Sequence, residues 1–135
     1  FNSSRAVGLD QYDTEPYVYS EYVTSREHET EGQASHSWLT GSSVWMYRIG
    51  IDWILGLRTS LKGITVDPHI PAQWDDISIT RKFRGKTLNI RISNPEQVNQ
   101  GVRELRINGQ QYKRAWINPA EFEDQSIDIE AVMGR

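Results

Sequence analysis

Apolar residues follow three different rhythms along the chain. Up to about residue 36 there is little regular periodicity. Tyr17-Val18-Tyr19 reads as a short extended piece, Pro16 disfavours helix at Glu15, and the polar run from Thr24 to Ser35 reads as an exposed loop. A loop of that length in a compact domain is either functional or a sign that structural context is missing. From Ser42 or Ser43 to Leu57 the pattern changes. Val44, Trp45, Met46, Ile49, Ile51, Trp53, Ile54, Leu55 and Leu57 put apolar groups on nearly every face of a helix, with Arg48 and Asp52 as its only charges. Gly56 suits the C-terminal cap. A helix that is apolar all round must be covered on most sides. The remaining residues do not supply two helical neighbours, so the pattern implies a larger helical assembly with members outside this chain.

From Gly63 onward the period becomes two. Ile77 and Ile79 alternate with polar partners, as do Leu88, Ile90 and Ile92, then Leu105 and Ile107, then Ile127, Ile129 and Ala131. Asn108-Gly109 is a strong hairpin signal, and Arg84-Gly85-Lys86 fits a second tight turn. Short strands with such punctuation predict a small antiparallel β-sandwich. Helical periodicity stops at the polar connector Arg58-Thr59-Ser60-Leu61-Lys62-Gly63, which divides the chain into residues 1–58 and 59–135. The fold class expected is α+β.

Composition narrows the function classes. A chain of 135 residues with 37% hydrophobic and 24% charged residues is globular and of single-domain size. It has no cysteine, which excludes a disulfide scaffold, a cysteine zinc site and a thiol nucleophile. No stretch approaches the roughly 18 apolar residues of a membrane span. Phe1-Asn2-Ser3-Ser4 is neither an initiator methionine nor a signal peptide, so a fragment or processed product is expected, with a cytoplasmic location. Charge is unevenly placed. Asp10, Asp13, Glu15, Glu21, Glu27, Glu29 and Glu31 face only Arg5 and Arg26 in residues 1–33, whereas residues 77–114 are strongly basic. That reversal suggests that the β region docks on acidic surface elsewhere in the protein.

The richest candidate chemistry lies in Ser35-His36-Ser37-Trp38-Leu39-Thr40-Gly41-Ser42-Ser43, just before the apolar helix. A helix N-terminus presents N–H groups and partial positive charge to an anion. Gly41 permits close backbone approach, the Thr40 hydroxyl adds a donor, and Trp38 offers a face to a sugar ring. The same residues also suit a plain N-cap with no ligand. Acidic residues and tyrosines between Asp10 and Tyr22 could line a carbohydrate cleft or simply form a solvated surface. His28-Glu29 with His36 does not meet the HExxH spacing, and exposed loop histidines account for it. Arg81-Lys82-Phe83-Arg84-Gly85-Lys86 reads as a solvated basic turn; the acidic total, −3, argues against nucleic acid. No GxSxG elbow is present.

Glu15-Pro16-Tyr17-Val18-Tyr19, Ser37-Trp38-Leu39-Thr40-Gly41 leading into Trp45-Met46-Tyr47, Trp53-Ile54-Leu55-Gly56-Leu57-Arg58, and Val66-Asp67-Pro68-His69-Ile70-Pro71 occur in an order that resembles the C-terminal end of a family 94 glycoside phosphorylase. That family includes cellobiose, chitobiose and cellobionic acid phosphorylases and part of cyclic β-1,2-glucan synthase. The resemblance runs from about Glu15 to Phe83, more loosely to the end. It implies the last helix of an (α/α)6 barrel followed by the small β-sandwich. It also implies an inverting glycosyltransferase in which inorganic phosphate is the co-substrate and no metal or other cofactor is needed. The pair matching Thr40 and Gly41 contributes to the phosphate site. The catalytic aspartate and the phosphate-binding arginines and histidine lie upstream, so no catalytic residue is assigned here and the chain alone should be inactive. Glu21 stands where cellobiose-acting members carry a glutamine that touches the donor sugar, and Ser35-His36 replaces a Lys-Asn pair; both weigh against cellobiose itself. A carboxylate accepts hydrogen bonds from hydroxyls but donates none. The implied partners are a disaccharide or oligosaccharide, the rest of the barrel and a second copy in a homodimer, with neither nucleic acid nor membrane. The rival expectation is a stand-alone carbohydrate-binding module with Trp38, Tyr17 and Tyr19 as a stacking platform. The two differ over the helix: a barrel remnant exposes Trp45 and Trp53.

Overall fold

A computed structural model of the chain describes residues 18–38 and 41–135. Two compact units divide between Arg48 and Ile49. In the first, β1 (Tyr22–Val23) pairs antiparallel with β2 (Ala34–Ser35), Tyr22 opposite Ser35 and Val23 opposite Ala34. The polar segment between them is tied by its own groups. The Thr24 N–H donates to the Gln33 carbonyl at 3.0 Å, the Gly32 N–H to the Thr24 carbonyl at 3.2 Å, and the Thr24 hydroxyl to the Thr30 carbonyl. Short hydroxyl side chains bond readily to nearby backbone, which gives an apolar-poor segment its shape. Helix α1 (Ser42–Ile49) follows in sequence, and none of its residues is buried.

The second unit begins at the π-helical turn Gly50–Ile54. The wide turn closes with the Leu55 N–H on the Gly50 carbonyl and the Leu57 N–H on the Ile51 carbonyl, both 2.9 Å. Gly56 stops the helix as expected, with φ +69° in the left-handed region. Its α-carbon faces the Asp67 carbonyl so closely that a Cβ there would lie 1.9 Å from that oxygen.

Seven strands follow: β3 (Thr59–Ser60), β4 (Gly63–Ile64), β5 (Asp76–Phe83), β6 (Lys86–Ser93), β7 (Val102–Ile107), β8 (Gln110–Gln111) and β9 (Ser126–Met133). The last five form one sheet in the order β5-β6-β9-β7-β8. Both predicted turns are present. Arg84 and Gly85, at φ 51° and 79°, join β5 to β6, and Asn108 and Gly109, at 49° and 77°, join β7 to β8. Positive φ at both central residues matches the right-handed twist of the flanking strands.

The sheet departs from the antiparallel expectation at one pair. β9 lies parallel to β6, with Leu88 opposite Ile127 and Ile90 opposite Ile129, because the chain crosses over through residues 94–125 before inserting its last described strand between the two hairpins. Nor is the second layer of the sandwich a regular sheet. Leu57, Ile64, Val66, Ile70 and Ile117, on the short β3–β4 pair and on irregular segments, join the sheet's inward residues Leu88, Ile90, Ile92, Ile107, Ile127, Ile129, Ala131 and Met133 in one buried core. The other sheet face is polar, and Ser78, Arg91, Glu130 and Arg106 stand side by side across four strands.

The basic turn is not merely solvated. Arg81 donates to the Leu57 carbonyl at 2.8 Å, and Arg84 to the Ser60 and Leu61 carbonyls at 3.1 and 2.8 Å. Lys86 reaches the Phe122 carbonyl and, at 2.8 Å, that of Asp124. Irregular covering segments leave carbonyls without ladder partners, and long cations from the hairpin satisfy them. Part of the charge excess of this region is thereby used inside the fold.

Candidate functional site

Gly41 opens α1, its carbonyl accepting the Trp45 N–H at 3.2 Å. Gly41 and Ser43 are exposed. Among the described atoms, a Cβ on Gly41 would meet only Trp45 Cδ1, at 3.9 Å. The helix has two turns of aligned peptide dipoles behind that end, enough to favour negative charge there. Thr40, the other residue of the expected phosphate pair, lies outside the described residues, as do Tyr17 and most of the acidic segment before it. Trp38 is 68% exposed and Trp45 71%, with Trp53 at 61%. Each of these three indoles is therefore largely open to solvent.

Glu21 sits beside the β1–β2 ribbon. Its N–H donates to the Ser35 carbonyl at 3.1 Å. One carboxylate oxygen, Oε2, lies 3.2 Å from His36 Nδ1, with both side chains more than half exposed. His36 holds a left-handed backbone, φ 53°, and the Tyr22 ring meets its imidazole edge-on at 6.2 Å between centroids. The sequence reading treats Glu21 and His36 separately. Continuing the register by one residue places them opposite each other, a relation visible only once β1 and β2 are known to pair. His28, by contrast, turns to its own loop, where Nδ1 accepts the Thr30 N–H at 3.2 Å. Among the described residues no three acidic or histidine side chains gather as a metal site, and no helix is long and apolar enough to cross a membrane.

In the second unit, the helix end is held by polar contacts that the motifs around Trp53 and Asp67 contribute. Arg58 pairs with Asp67 at 2.6 Å and lies 5.3 Å over the Trp53 ring. The His69 N–H donates to the Ile54 carbonyl at 2.8 Å, and Asp67 N–H to that of Gly56 at 3.1 Å. These are positioning contacts rather than chemistry.

Comparison with known proteins agrees with this arrangement. Residues 1–56 match the glycosyl hydrolase 94 superfamily, catalytic domain, and residues 57–113 match the glycosyl hydrolase family 65, C-terminal domain. The chain thus corresponds to the C-terminal region of a family 94 glycoside phosphorylase. It is 41% identical over 111 residues to an N,N'-diacetylchitobiose phosphorylase of Vibrio furnissii, an alignment covering 82% of this chain and 14% of that protein. It is likewise 41% identical over 95 residues to the N,N'-diacetylchitobiose phosphorylase of Vibrio proteolyticus, covering 70% and 12%. A cellobionic acid phosphorylase of Neurospora crassa is 38% identical over 63 residues, covering 47% and 8%. The chain spans no more than 14% of the length of these relatives. The likeness of the β region to a family 65 domain was not legible from its alternating strands, because such strands suit many sheets.

Proposed function

We propose that this chain is the C-terminal portion of an inverting disaccharide phosphorylase, with residues 1–58 completing an (α/α)6 catalytic barrel and residues 59–135 forming its accessory β domain. The observation that carries the reading is the 41% identity to two chitobiose phosphorylases over most of the chain. In the reaction, an oxygen of inorganic phosphate attacks the anomeric carbon while the glycosidic C–O bond breaks. The leaving oxygen takes a proton from an aspartic acid outside this chain, and the products are a sugar 1-phosphate of inverted configuration and the free acceptor sugar. Thr40 and Gly41 supply part of the phosphate pocket, through a hydroxyl and the N–H groups of the first helical turn. The exposure of Gly41 and Ser43 supports that role. Glu21 contacts the donor sugar. N,N'-diacetylchitobiose, named for both Vibrio relatives, is the first substrate to test.

The test uses the full-length protein. Incubated with the disaccharide and inorganic phosphate, it should release a sugar 1-phosphate in strict dependence on phosphate. T40A should raise the KM for phosphate about tenfold or more, as expected for one hydrogen bond to a charged ligand. Release of reducing sugar at the same rate without phosphate would refute the reading, and so would phosphorolysis by the isolated 135 residues.

A further inference from the structure

The Glu21–His36 contact has features that an ordinary surface ion pair lacks. It joins residues directly across the ribbon, at the position next beyond the Tyr22–Ser35 pair. Its histidine holds a left-handed backbone, φ 53°, a conformation that histidine adopts more readily than most non-glycine residues. The Tyr22 ring against the imidazole limits where it can turn. Oε2 is the carboxylate oxygen that faces the imidazole, and the Glu21 side chain remains 63% exposed.

We infer that His36 is a positioning residue for Glu21: its Nδ1 donates to one carboxylate oxygen and aims the other at a hydrogen-bond donor of a bound sugar. The inference rests on the proposal that Glu21 is a sugar contact. The chemistry recognised is an O–H or an acetamido N–H, since a carboxylate accepts from either. An unpartnered glutamate samples several rotamers and loses that freedom on binding; a histidine that already holds one oxygen removes part of this cost before the sugar arrives.

The experiment compares H36G, H36N, E21Q and the double variant E21Q/H36G in the full-length protein. Glycine accepts the left-handed backbone without the imidazole, and asparagine accepts it while restoring an N–H donor. Two readouts are used: KM for disaccharide and for phosphate, and equilibrium binding of N-acetylglucosamine and of glucose followed by protein fluorescence. H36G should raise the disaccharide KM and weaken sugar binding about tenfold, the loss of one charge-assisted hydrogen bond, while the phosphate KM stays unchanged. H36N should recover most of that loss, and E21Q/H36G should be no worse than E21Q. Weakening confined to N-acetylglucosamine identifies the amide N–H as the donor; equal weakening of both sugars identifies a hydroxyl. Unchanged sugar binding in H36G overturns the inference, as do equal rises in both KM values or independent, multiplying effects of the two substitutions. A wild-type protein that binds sugar in this His36-dependent way yet shows no phosphorolysis would sink the proposed reaction and leave the positioning role standing.

Discussion

Gly56 is the position where sequence, backbone and packing impose the most severe local demand, and Gly56→Ala measures it. The added Cβ would stand 1.9 Å from the Asp67 carbonyl oxygen, 2.1 Å from its carbon and 2.6 Å from Pro68 N. All three are backbone atoms, so no side chain can swing aside. An L-residue at φ +69° costs about 1–2 kcal/mol before any clash. Separating the two strands of chain also breaks the Asp67 N–H bond to the Gly56 carbonyl and the longer Thr65 hydroxyl bond to the same oxygen, 3.1 and 3.4 Å. Each is worth about 0.5–1.5 kcal/mol. The half-exposed Arg58–Asp67 pair adds little. The total, about 2–5 kcal/mol, is a large share of the roughly 5–15 kcal/mol that holds a domain together. Gly85→Ala is the control, because φ there is also positive, 79°, but nothing lies within 4 Å of the added carbon. It should cost only the conformational term, about 1–2 kcal/mol. Urea unfolding of the chain in dilute solution, followed by tryptophan fluorescence, reads both. With a slope of about 1–3 kcal/mol/M, Gly56→Ala should lower the midpoint by about 1 M or more. A Gly56→Ala midpoint equal to that of Gly85→Ala would show that the close approach to Asp67 does not govern this joint.

Arg84→Ala should destabilise the β unit by about 0.5–1.5 kcal/mol, because water replaces the donor that the Ser60 and Leu61 carbonyls lose in these exposed hydrogen bonds, and urea titration checks it. Ile129→Ala, in the central strand and 1% exposed, should cost about 2–5 kcal/mol in the same assay; a value below 1 kcal/mol would contradict the core assignment. The Arg91 guanidinium beside Asp76 holds its carboxyl below the ordinary 3.8. A depressed carboxyl contributes stability that is present above the unfolded value and lost as pH falls through the folded one, so Asp76→Asn should flatten the stability decline below about pH 3.8, and an unchanged acid limb would count against the pair. Replacing exposed Trp45 and Trp53 by serine should reduce dye binding and self-association of the isolated chain, measured by fluorescence and light scattering; unchanged association would mean that another surface drives it.

The elements most readable in the sequence are those dictated by local chemistry. Asn108-Gly109 and Arg84-Gly85 form the turns their backbone freedom allows, Gly56 stops the helix, and β6 and β9 bury the alternating residues that the period of two selects. Strand order was not readable, because alternation says which face a residue takes and nothing about its neighbour. Hence the parallel β6–β9 pair, and a second layer built from irregular chain, appear only in the structure. The uses of Arg81, Arg84 and Lys86 were hidden for the same reason: their carbonyl partners lie some 20 to 40 residues away along the chain. At the candidate site, Gly41 was legible as a helix entrance from the small residues around it. The opposition of Glu21 and His36 was not, since two short strands carry too few residues to announce their register.

The strand at the middle of the sheet is also the last to be synthesised among the described elements. Until Ser126–Met133 emerges from the ribosome, the two hairpins have no shared neighbour, and each keeps an open hydrogen-bonding edge beside a row of isoleucines and leucines. Closing the sheet then joins segments far apart in sequence, a step that is slow by nature and exposed to aggregation while it waits. Loss of these 8 residues would leave two sticky ribbons in place of a sheet, so the β unit has no fold until its central strand has left the ribosome.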